Sequence, residues 1–265
     1  MDHVTVLLSC MYQSDASIIF KSNVQTDVVV VNQCDDNYIK EFDFENKKGK
    51  TCHCKFICTT ERGLSRSRNM AIQNAWGDIC LICDDDELFS DDYPQIILNS
   101  FKEEPEADVI AFALDRKDHP RAFPNKKLKL GFKSIGHISS QQISFSRNAI
   151  LNADISFDVK MGSGTGNGGG EENMFLHTCR KNNFKMFYVP KVIATILATG
   201  KSKWFKGYTN DYFRNLGWVT RRIHGTFVGA LYLFMWFVKH RKMYVADNTK
   251  WDAVKNVCIG FNENR

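Results

Sequence analysis

An acidic cluster, residues 84–87, directly follows the apolar run 79–83. The apolar run is typical of a strand that is buried on both faces of a parallel sheet. Open α/β sheets bind ligands at the carboxyl ends of their strands, so the acids lie where a ligand is expected. Adjacent carboxylates are costly without a cation, and hard oxygen donors suit Mg²⁺ or Mn²⁺ shared with substrate phosphates. The cluster predicts a metal site, with a solvated acidic turn as the alternative.

A second acidic pair, Glu171 and Glu172, follows a glycine-rich stretch, residues 162–170, which contains six glycines. Such a stretch adopts many conformations, which suits a lid that closes over a substrate. A helix that begins near Glu171 would place the pair at its N-terminal end, where the helix dipole favours a carboxylate. Adjacent glutamates also raise one another's pKa, which helps a base near neutral pH. Simple first-turn helix acids are the alternative interpretation.

Short strands and helices alternate along the first 200 residues, and a basic stretch, residues 61–69, opens one of the helices. The predicted strands are residues 4–9, 28–31, 56–58, 79–83 and 108–114, and the predicted helices include 64–76 and 93–101. This alternation predicts an α/β fold with a parallel sheet and right-handed crossovers. Residues 41–54 are predicted to be a loop and residues 115–137 a basic surface excursion. Pro190 is predicted to end a strand that starts at residue 184.

Net charge is distributed unequally along the chain. The net charge of the 265 residues is +5, yet residues 201–265 hold 12 Lys and Arg against 4 Asp and Glu, which gives +8 there and leaves −3 elsewhere. This predicts an acidic body, residues 1–200, and a basic helical appendage, residues 201–265, that meets an anionic partner. Nucleic acid is not the expected partner, because the aromatic residues of the appendage do not alternate with its basic residues.

The appendage contains an apolar run, residues 226–238, with basic residues on both sides. The run is too short to cross a bilayer, which needs about 20 residues. Two interpretations stay open, a helix buried in the core and an interfacial helix that docks on an anionic membrane through residues 220–242. The N-terminus lacks a basic start and a small-residue cleavage site, so no signal peptide is predicted and a cytoplasmic location is expected.

Four features occur in a familiar order along residues 1–200. They are residues 7–12 after the first strand, Gly63 with Arg68 and Asn69, the Asp84-x-Asp86 pattern, and the glycine-rich stretch before the glutamate pair. This order resembles a family 2 glycosyltransferase of the bacterial polysaccharide or lipid-linked glycan type. The resemblance implies a GT-A fold, with a mostly parallel central sheet flanked by helices and a helical C-terminal appendage.

The resemblance also implies roles for individual residues. Glu172 corresponds to the catalytic base and Glu171 to its neighbour, while Asp84 and Asp86 correspond to metal ligands, with Asp86 as the direct one. The positions that correspond to nucleotide-sugar contacts are Ser9, Asn32, Arg68, Asp84 and Asp85. One position departs from the family, because Asn32 stands where an aspartate usually reads uracil, and an amide offers both a donor and an acceptor.

The implied reaction is inverting transfer of one sugar, with Mn²⁺ or Mg²⁺, from a nucleotide-diphosphate sugar. A UDP-sugar is the first candidate for the donor. The implied acceptor is a hydroxyl of a glycan, carried on a lipid diphosphate, in cell-surface polysaccharide synthesis at the inner face of the membrane. The QxxRW motif of processive synthases is absent, which favours a single addition. A metal-dependent nucleotidyltransferase and a non-enzymatic relative that binds glycan or membrane are the alternatives.

Overall fold

The structure, a computed structural model, describes residues 1–116, 124–197, 207–241 and 250–265. Its strands are β1 Val4–Met11, β2 Asp27–Gln33, β3 Tyr38–Glu45, β4 Thr51–Thr59, β5 Ile79–Asp84, β6 Glu87–Phe89, β7 Val109–Arg116, β8 Leu128–Lys129, β9 Ile143–Ser146 and β10 Met186–Ile196. Its α-helices are α1 Ile18–Lys21, α2 Leu64–Asn74, α3 Tyr93–Glu103, α4 Phe132–Ile135, α5 Arg147–Asn152, α6 Glu171–Lys181, α7 Asn210–His240 and α8 Lys250–Asn262. A 3₁₀ turn occupies Ser140–Gln142.

The described strands form one sheet in the order β3-β4-β2-β1-β5-β9-β7-β10-β6, and β8 pairs with β10. Strands β4, β2, β1 and β5 are mutually parallel, as are β7 and β10. Strand β9 runs antiparallel between β5 and β7 and joins the two parallel groups. The predicted α/β class is therefore confirmed, and the carboxyl ends of β1, β2 and β5 meet at one edge of the sheet.

Strand β1 lies in the centre of the sheet and is buried on both faces. Val6 and Leu8 belong to the apolar cluster that includes Ile97 of α3, whereas Leu7 belongs to the opposite cluster with Ala71 of α2. Because successive side chains of a strand point to opposite faces, an unbroken apolar strand can join both layers. This rigid centre holds the acidic end of β5 in place.

Two of the predictions about individual segments were wrong. Residues 41–54 are not a loop, because β3 and β4 form an antiparallel pair there. Strand β3 lies at the edge of the sheet, and its Phe42 and Phe44 alternate with exposed acids, a strand pattern that the sequence interpretation missed. Pro190 does not end β10, because the strand continues to Ile196 with register shifts between Val189 and Ala194. A proline is tolerated at such an irregularity because no ladder hydrogen bond is required from it.

The C-terminal appendage is helical in the parts that the structure describes. Helix α7 is broken at Gly225, whose φ is +75°, so residues 210–224 and 226–240 fold back on each other. The ring of Phe213 accordingly lies 6.2 Å from that of Trp236 across the two arms. Among the described residues, none of the helices has the length and apolar character needed to span a bilayer. The division into domains 1–200 and 201–265 stays a prediction. Outside the described residues lie 117–123, in the predicted basic excursion, and 198–206, at the predicted domain boundary.

Candidate active site

A cavity of about 480 Å³ opens at the carboxyl ends of β1, β2 and β5. Ser9, Asp84, Asp85 and Asp86, all predicted site residues, line it together with Gln33 and Arg62. Loops at this edge can present charged side chains without breaking the sheet, as expected for a ligand site of an open α/β sheet. The structure therefore brings Ser9 and the three aspartates into one cavity, whose lining does not include Glu171 or Glu172.

Asp84, Asp85 and Asp86 line the cavity, and carboxylate oxygens are the donors that Mg²⁺ and Mn²⁺ take. Burial, reinforced by the neighbouring Asp84 and Asp85, raises the pKa of Asp86, and a bound cation would remove that repulsion. The described residues contain no group of three His, Cys, Asp or Glu side chains that could hold a metal alone. Mg²⁺ is normally held by one or two carboxylates plus substrate phosphates, so this donor set suits a metal that the substrate completes.

The carboxylate of Asp84 accepts hydrogen bonds from two other side chains. Its Oδ1 accepts a hydrogen bond of 2.9 Å from Nη2 of Arg68, and its Oδ2 accepts one of 3.3 Å from Oγ of Ser140. These contacts fix the carboxylate at the wall of the cavity. Its predicted role as a metal ligand stays a prediction.

Glu87, the fourth acid of the cluster, points away from the cavity. It is buried, and its Oε1 accepts a hydrogen bond of 3.0 Å from the backbone N–H of Asp84. Burial, reinforced by Asp84, raises the pKa of Glu87 well above its ordinary range, and the hydrogen bond to Asp84 braces the turn. The sequence grouped Glu87 with the three aspartates, because four adjacent acids do not show which of them is buried in the protein interior.

Asn32 is completely buried at the end of β2. Its Oδ1 accepts a hydrogen bond from N–H of Gln13, and its Nδ2 donates one to the carbonyl of Gln13, both at 2.9 Å. The amide thus holds the chain that leaves β1. This geometry argues against the predicted direct contact between Asn32 and a nucleotide base, because both polar atoms already serve the backbone.

Arg62 lines the cavity, whereas the sequence interpretation selected Arg68 from the same basic stretch. Its Nη2 lies 2.6 Å from Oδ1 of Asp35, and its guanidinium carbon lies 5.6 Å from the centre of the Tyr12 ring. The two arginines differ because α2 begins between them, after Gly63. Arg62 therefore lies at the cavity, whereas Arg68 turns into the interior. The basic stretch was the available signal, but the choice between its arginines required the helix boundary.

Glu172 lies in the first turn of α6, next to the buried Glu171. Desolvation, reinforced by the Glu171 carboxylate, raises the pKa of Glu172 to about 7. Nδ2 of Asn173 donates a hydrogen bond of 3.2 Å to Oε1 of Glu172. A carboxylate that titrates near neutral pH is suited to general base catalysis.

The glycine-rich stretch connects the start of α2 to the start of α6. The carbonyl of Ser163 accepts a hydrogen bond of 2.9 Å from N–H of Leu64, and the carbonyl of Met161 accepts one of 2.8 Å from Oγ of Ser65. A Cβ at Gly164 would lie 3.2 Å from the Cα of Gly63, so the glycine permits close backbone approach. The predicted ordering of this segment on donor binding stays a prediction.

Comparison with known proteins places the chain in a family. The family model described as glycosyl transferase family 2 matches residues 17–165, more than half of the chain. The chain belongs to glycosyl transferase family 2. The match includes Arg68 and the acidic cluster and ends before Glu171. A search of curated proteins finds no match for this family 2 chain.

Solved structures of S. aureus TarS share the fold. TarS 1–349 has a TM-score of 0.64 at 14% identity over 98% of this chain and 81% of its own length. Its complex with UDP-GlcNAc gives a TM-score of 0.64 at 14% identity over 96% and 79%, and its complex with UDP gives 0.63 at 14% over 98% and 81%. The predicted GT-A fold is thus confirmed, and the family 2 membership identifies the chain as a glycosyltransferase.

Proposed function

We propose that the enzyme transfers one sugar from a nucleotide-diphosphate sugar to a hydroxyl of a glycan acceptor, with inversion at the anomeric carbon. The observation that carries the proposal is Glu172, whose pKa burial and Glu171 raise to about 7, with a further contribution from Asp84 of the aspartate-lined cavity. A UDP-sugar is the first candidate for the donor, because TarS has been solved with UDP and with UDP-GlcNAc. Because the Asn32 amide is hydrogen-bonded to the backbone of Gln13, this proposal assigns recognition of the base to other residues.

The leaving group in this reaction is a nucleoside diphosphate. Asp84 and Asp86 would hold Mn²⁺ or Mg²⁺, which when bound supplies positive charge that neutralises the departing diphosphate. Arg62, at the same cavity, would add charge-assisted hydrogen bonds to phosphate oxygens. Glu172 would take the proton of the acceptor hydroxyl during attack. One displacement with one base inverts the anomeric centre, so an α-linked donor gives a β-linked product.

A nucleotidyltransferase would share the acidic metal site, but its chemistry does not require a second carboxylate as the acceptor base. The raised pKa of Glu172 therefore favours sugar transfer. A non-enzymatic relative would have no need for both acidic groups, and this chain retains the cavity aspartates and the glutamate pair.

The proposal is tested by incubating the protein with a panel of nucleotide-sugars, with and without Mn²⁺. We expect metal-dependent release of the nucleoside diphosphate and, with acceptor, a β-linked product whose anomeric configuration is read by NMR. Release of pyrophosphate would instead identify a nucleotidyltransferase. An absence of turnover over the whole panel would contradict the proposal.

A second cavity, of about 520 Å³, is proposed as the acceptor site. It lies between the glycine-rich stretch and the start of α7 and is lined by Thr209, Asp211, Tyr212 and Asn215, among others. A hydroxyl, a carboxylate, an aromatic ring and an amide together offer the hydrogen bonds and the apolar surface that a sugar chain requires. Asp211→Asn should raise the KM for the acceptor and leave the KM for the donor unchanged, since Asp211 lines this cavity and does not line the donor cavity. An unchanged KM for the acceptor would show that the acceptor binds elsewhere.

We also propose that the appendage docks on an anionic membrane, which would give the enzyme access to a lipid-diphosphate-linked acceptor at the inner face of the cell membrane. In the second arm of α7, Phe227 is 91% exposed and Phe234 67% exposed, and Leu231 and Val238 lie on the same face. The opposite face, with Leu233, packs in one cluster with Val257 of α8. One face of the arm is therefore core, and the other presents a continuous apolar strip.

Basic residues lie beside this strip, including Lys239 and Arg241 at the end of the arm and Lys250 at the start of α8. Trp251, which follows, is 82% exposed, and tryptophan is enriched where protein meets the lipid headgroups. Arg221 and Arg222, which precede the apolar run, do not join this surface. The first donates to the carbonyl of Phe261 and the second pairs with Asp158, so both act inside the protein.

Sedimentation with liposomes that contain phosphatidylglycerol tests the docking. We expect binding at low salt that weakens at high salt, because ions screen surface charges. The double substitution Phe227→Glu and Phe234→Glu should abolish binding, whereas Phe20→Glu, at a phenylalanine that is 64% exposed on α1, should not. Concentration-dependent dimerisation without liposome binding would show that a second copy of the chain covers the strip instead.

A further inference from the structure

The side chain of Arg68 connects three elements that the sequence places far apart. It is only 1% exposed, although it carries a permanent charge. Its Nη1 donates to Oε1 of Glu171 at 3.0 Å, and its Nη2 donates to Oδ1 of Asp84 at 2.9 Å. Its guanidinium carbon also lies 5.4 Å from the centre of the Phe157 ring. A charge buried this deeply is tolerated only when it is paired and hydrogen-bonded, and both terminal nitrogens of Arg68 meet these conditions, whereas its Nε has no hydrogen-bond partner.

The two carboxylates that Arg68 contacts belong to different parts of the proposed reaction. Asp84 ends β5 in the wall of the donor cavity, and Glu171 begins α6, one residue before the proposed base. The guanidinium is a rigid planar fork, so its two terminal nitrogens set the separation of their acceptors. A lysine ammonium at this position could not hold two acceptors in the same plane.

Glu171 is confined on its other side by Gly162. Gly162 has a φ of +95°, and a Cβ at this position would lie 3.0 Å from the Cδ of Glu171. Successive residues of a helix point about 100° apart, so fixing the direction of Glu171 also fixes that of Glu172. The first turn of α6 therefore has little freedom to rotate.

We infer that Arg68 is a positioning residue that keeps the donor-binding Asp84 and the base-bearing start of α6 at a fixed separation. This inference rests on the proposed function. It replaces direct nucleotide binding as the role of Arg68, because both terminal nitrogens already donate to protein carboxylates. A misplacement of about 1 Å can reduce a reaction rate by about 10²-fold, so a residue that touches no substrate can still limit kcat.

A double-mutant cycle with Arg68→Met, Glu171→Gln and the double variant tests the bridge. We expect each single substitution to lower kcat by about 10²-fold, with a smaller change in donor KM. The double variant should lose about as much as the worse single variant, because one bridge is removed in all three. Arg68→Lys should restore kcat only in part. Arg66→Met, at an exposed arginine of the same helix, should leave kcat and KM unchanged.

Two outcomes would overturn the inference. Losses that multiply to about 10⁴-fold in the double variant would show independent roles, and a large rise in donor KM for Arg68→Met with Glu171→Gln silent would indicate direct nucleotide contact. If Arg68→Met does not fold, Arg68→Lys and Glu171→Gln form the same cycle. Urea unfolding midpoints of the variants are measured without substrate. If the shifts in midpoint of the two single variants add up in the double variant, the bridge alone is refuted. If the wild type is inactive on every nucleotide-sugar, the proposed function alone is refuted.

Discussion

Gln141 donates a hydrogen bond of 2.8 Å from Nε2 to Oδ1 of Asp86. The two residues lie 55 positions apart, and the bond connects the 3₁₀ turn before β9 to the acidic end of β5. The hydrogen bond occupies one of the lone pairs of this carboxylate and leaves others for a ligand. Asp86 is thus oriented by the protein before any substrate arrives.

Asp86→Ala should abolish sugar transfer and Mn²⁺-dependent nucleotide binding, because the preoriented carboxylate is lost while the fold is kept. Isothermal titration calorimetry with UDP, with and without Mn²⁺, measures the binding. Asp92→Asn, at an exposed acid before α3, is the matched control and should behave like the wild type. Full transfer by Asp86→Ala would contradict the metal role.

Glu172→Gln should lower the transfer rate by roughly 10²–10⁴-fold, the usual contribution of a general base, because the amide cannot accept the proton. Donor affinity in the presence of Mn²⁺ should barely change. Glu106→Gln, at an exposed glutamate, serves as the control. A loss of less than about tenfold in the Glu172→Gln variant would place the base elsewhere.

The rate of transfer should depend on pH through the same residue. Because burial and Glu171 raise the pKa of Glu172 to about 7, the base is protonated below that pH. The kcat/KM should therefore fall about tenfold per pH unit as the pH drops below 7. Initial rates between pH 5 and 9 measure the profile. The acidic limb should disappear from the residual activity of Glu172→Gln, and its persistence there would contradict this assignment.

Stability should also depend on pH, through His177. The ring of His177 is buried 4.9 Å from that of His224, where α6 meets α7. Burial, reinforced by His224, lowers the pKa of His177 from 6.5 to about 4. Between those values the unfolded chain binds more protons, so stability falls as the pH drops, by up to about 3 kcal/mol.

Urea unfolding at pH 7 and pH 5 measures this effect. His177→Gln should lose less stability between the two pH values than the wild type does, because one of the buried rings no longer titrates. His137→Gln, at an exposed histidine, should retain the full difference. An equal loss in His177→Gln and the wild type would refute the assignment.

Two glycines set the distance between α7 and α8. A Cβ at Gly217 would overlap the carbonyl oxygen of Val257, and a Cβ at Gly260 would overlap that of Arg214. Gly217→Ala or Gly260→Ala should therefore destabilise the appendage by about 1–3 kcal/mol, the usual cost of overpacking. Thermal unfolding measures the change. Gly131→Ala, where a Cβ would meet no described atom within 4 Å, should be neutral, and alanine variants as stable as the wild type would contradict the close packing.

The sequence was most informative where the chemistry is local. An apolar run followed by acids predicts a buried strand with a charged end, because burial and charge are properties of neighbouring residues. The glycine-rich stretch before Glu171 and Glu172 similarly predicted the start of α6, since glycine and first-turn acids mark helix boundaries. Edge strand β3 escaped prediction because only Phe42 and Phe44 of its side chains pack against the core, which leaves a short alternation.

Only the tertiary structure decided which of these residues meet. Arg68 and Glu171 are 103 positions apart, and their contact depends on how α2 and α6 pack against the sheet. The same packing turned Glu87 inward and left Asp86 at the cavity. The sequence by itself thus determined the fold class and the set of candidate acids, because local patterns encode them. The structure decided which acid is buried, paired or open to substrate, because burial and pairing depend on distant parts of the chain.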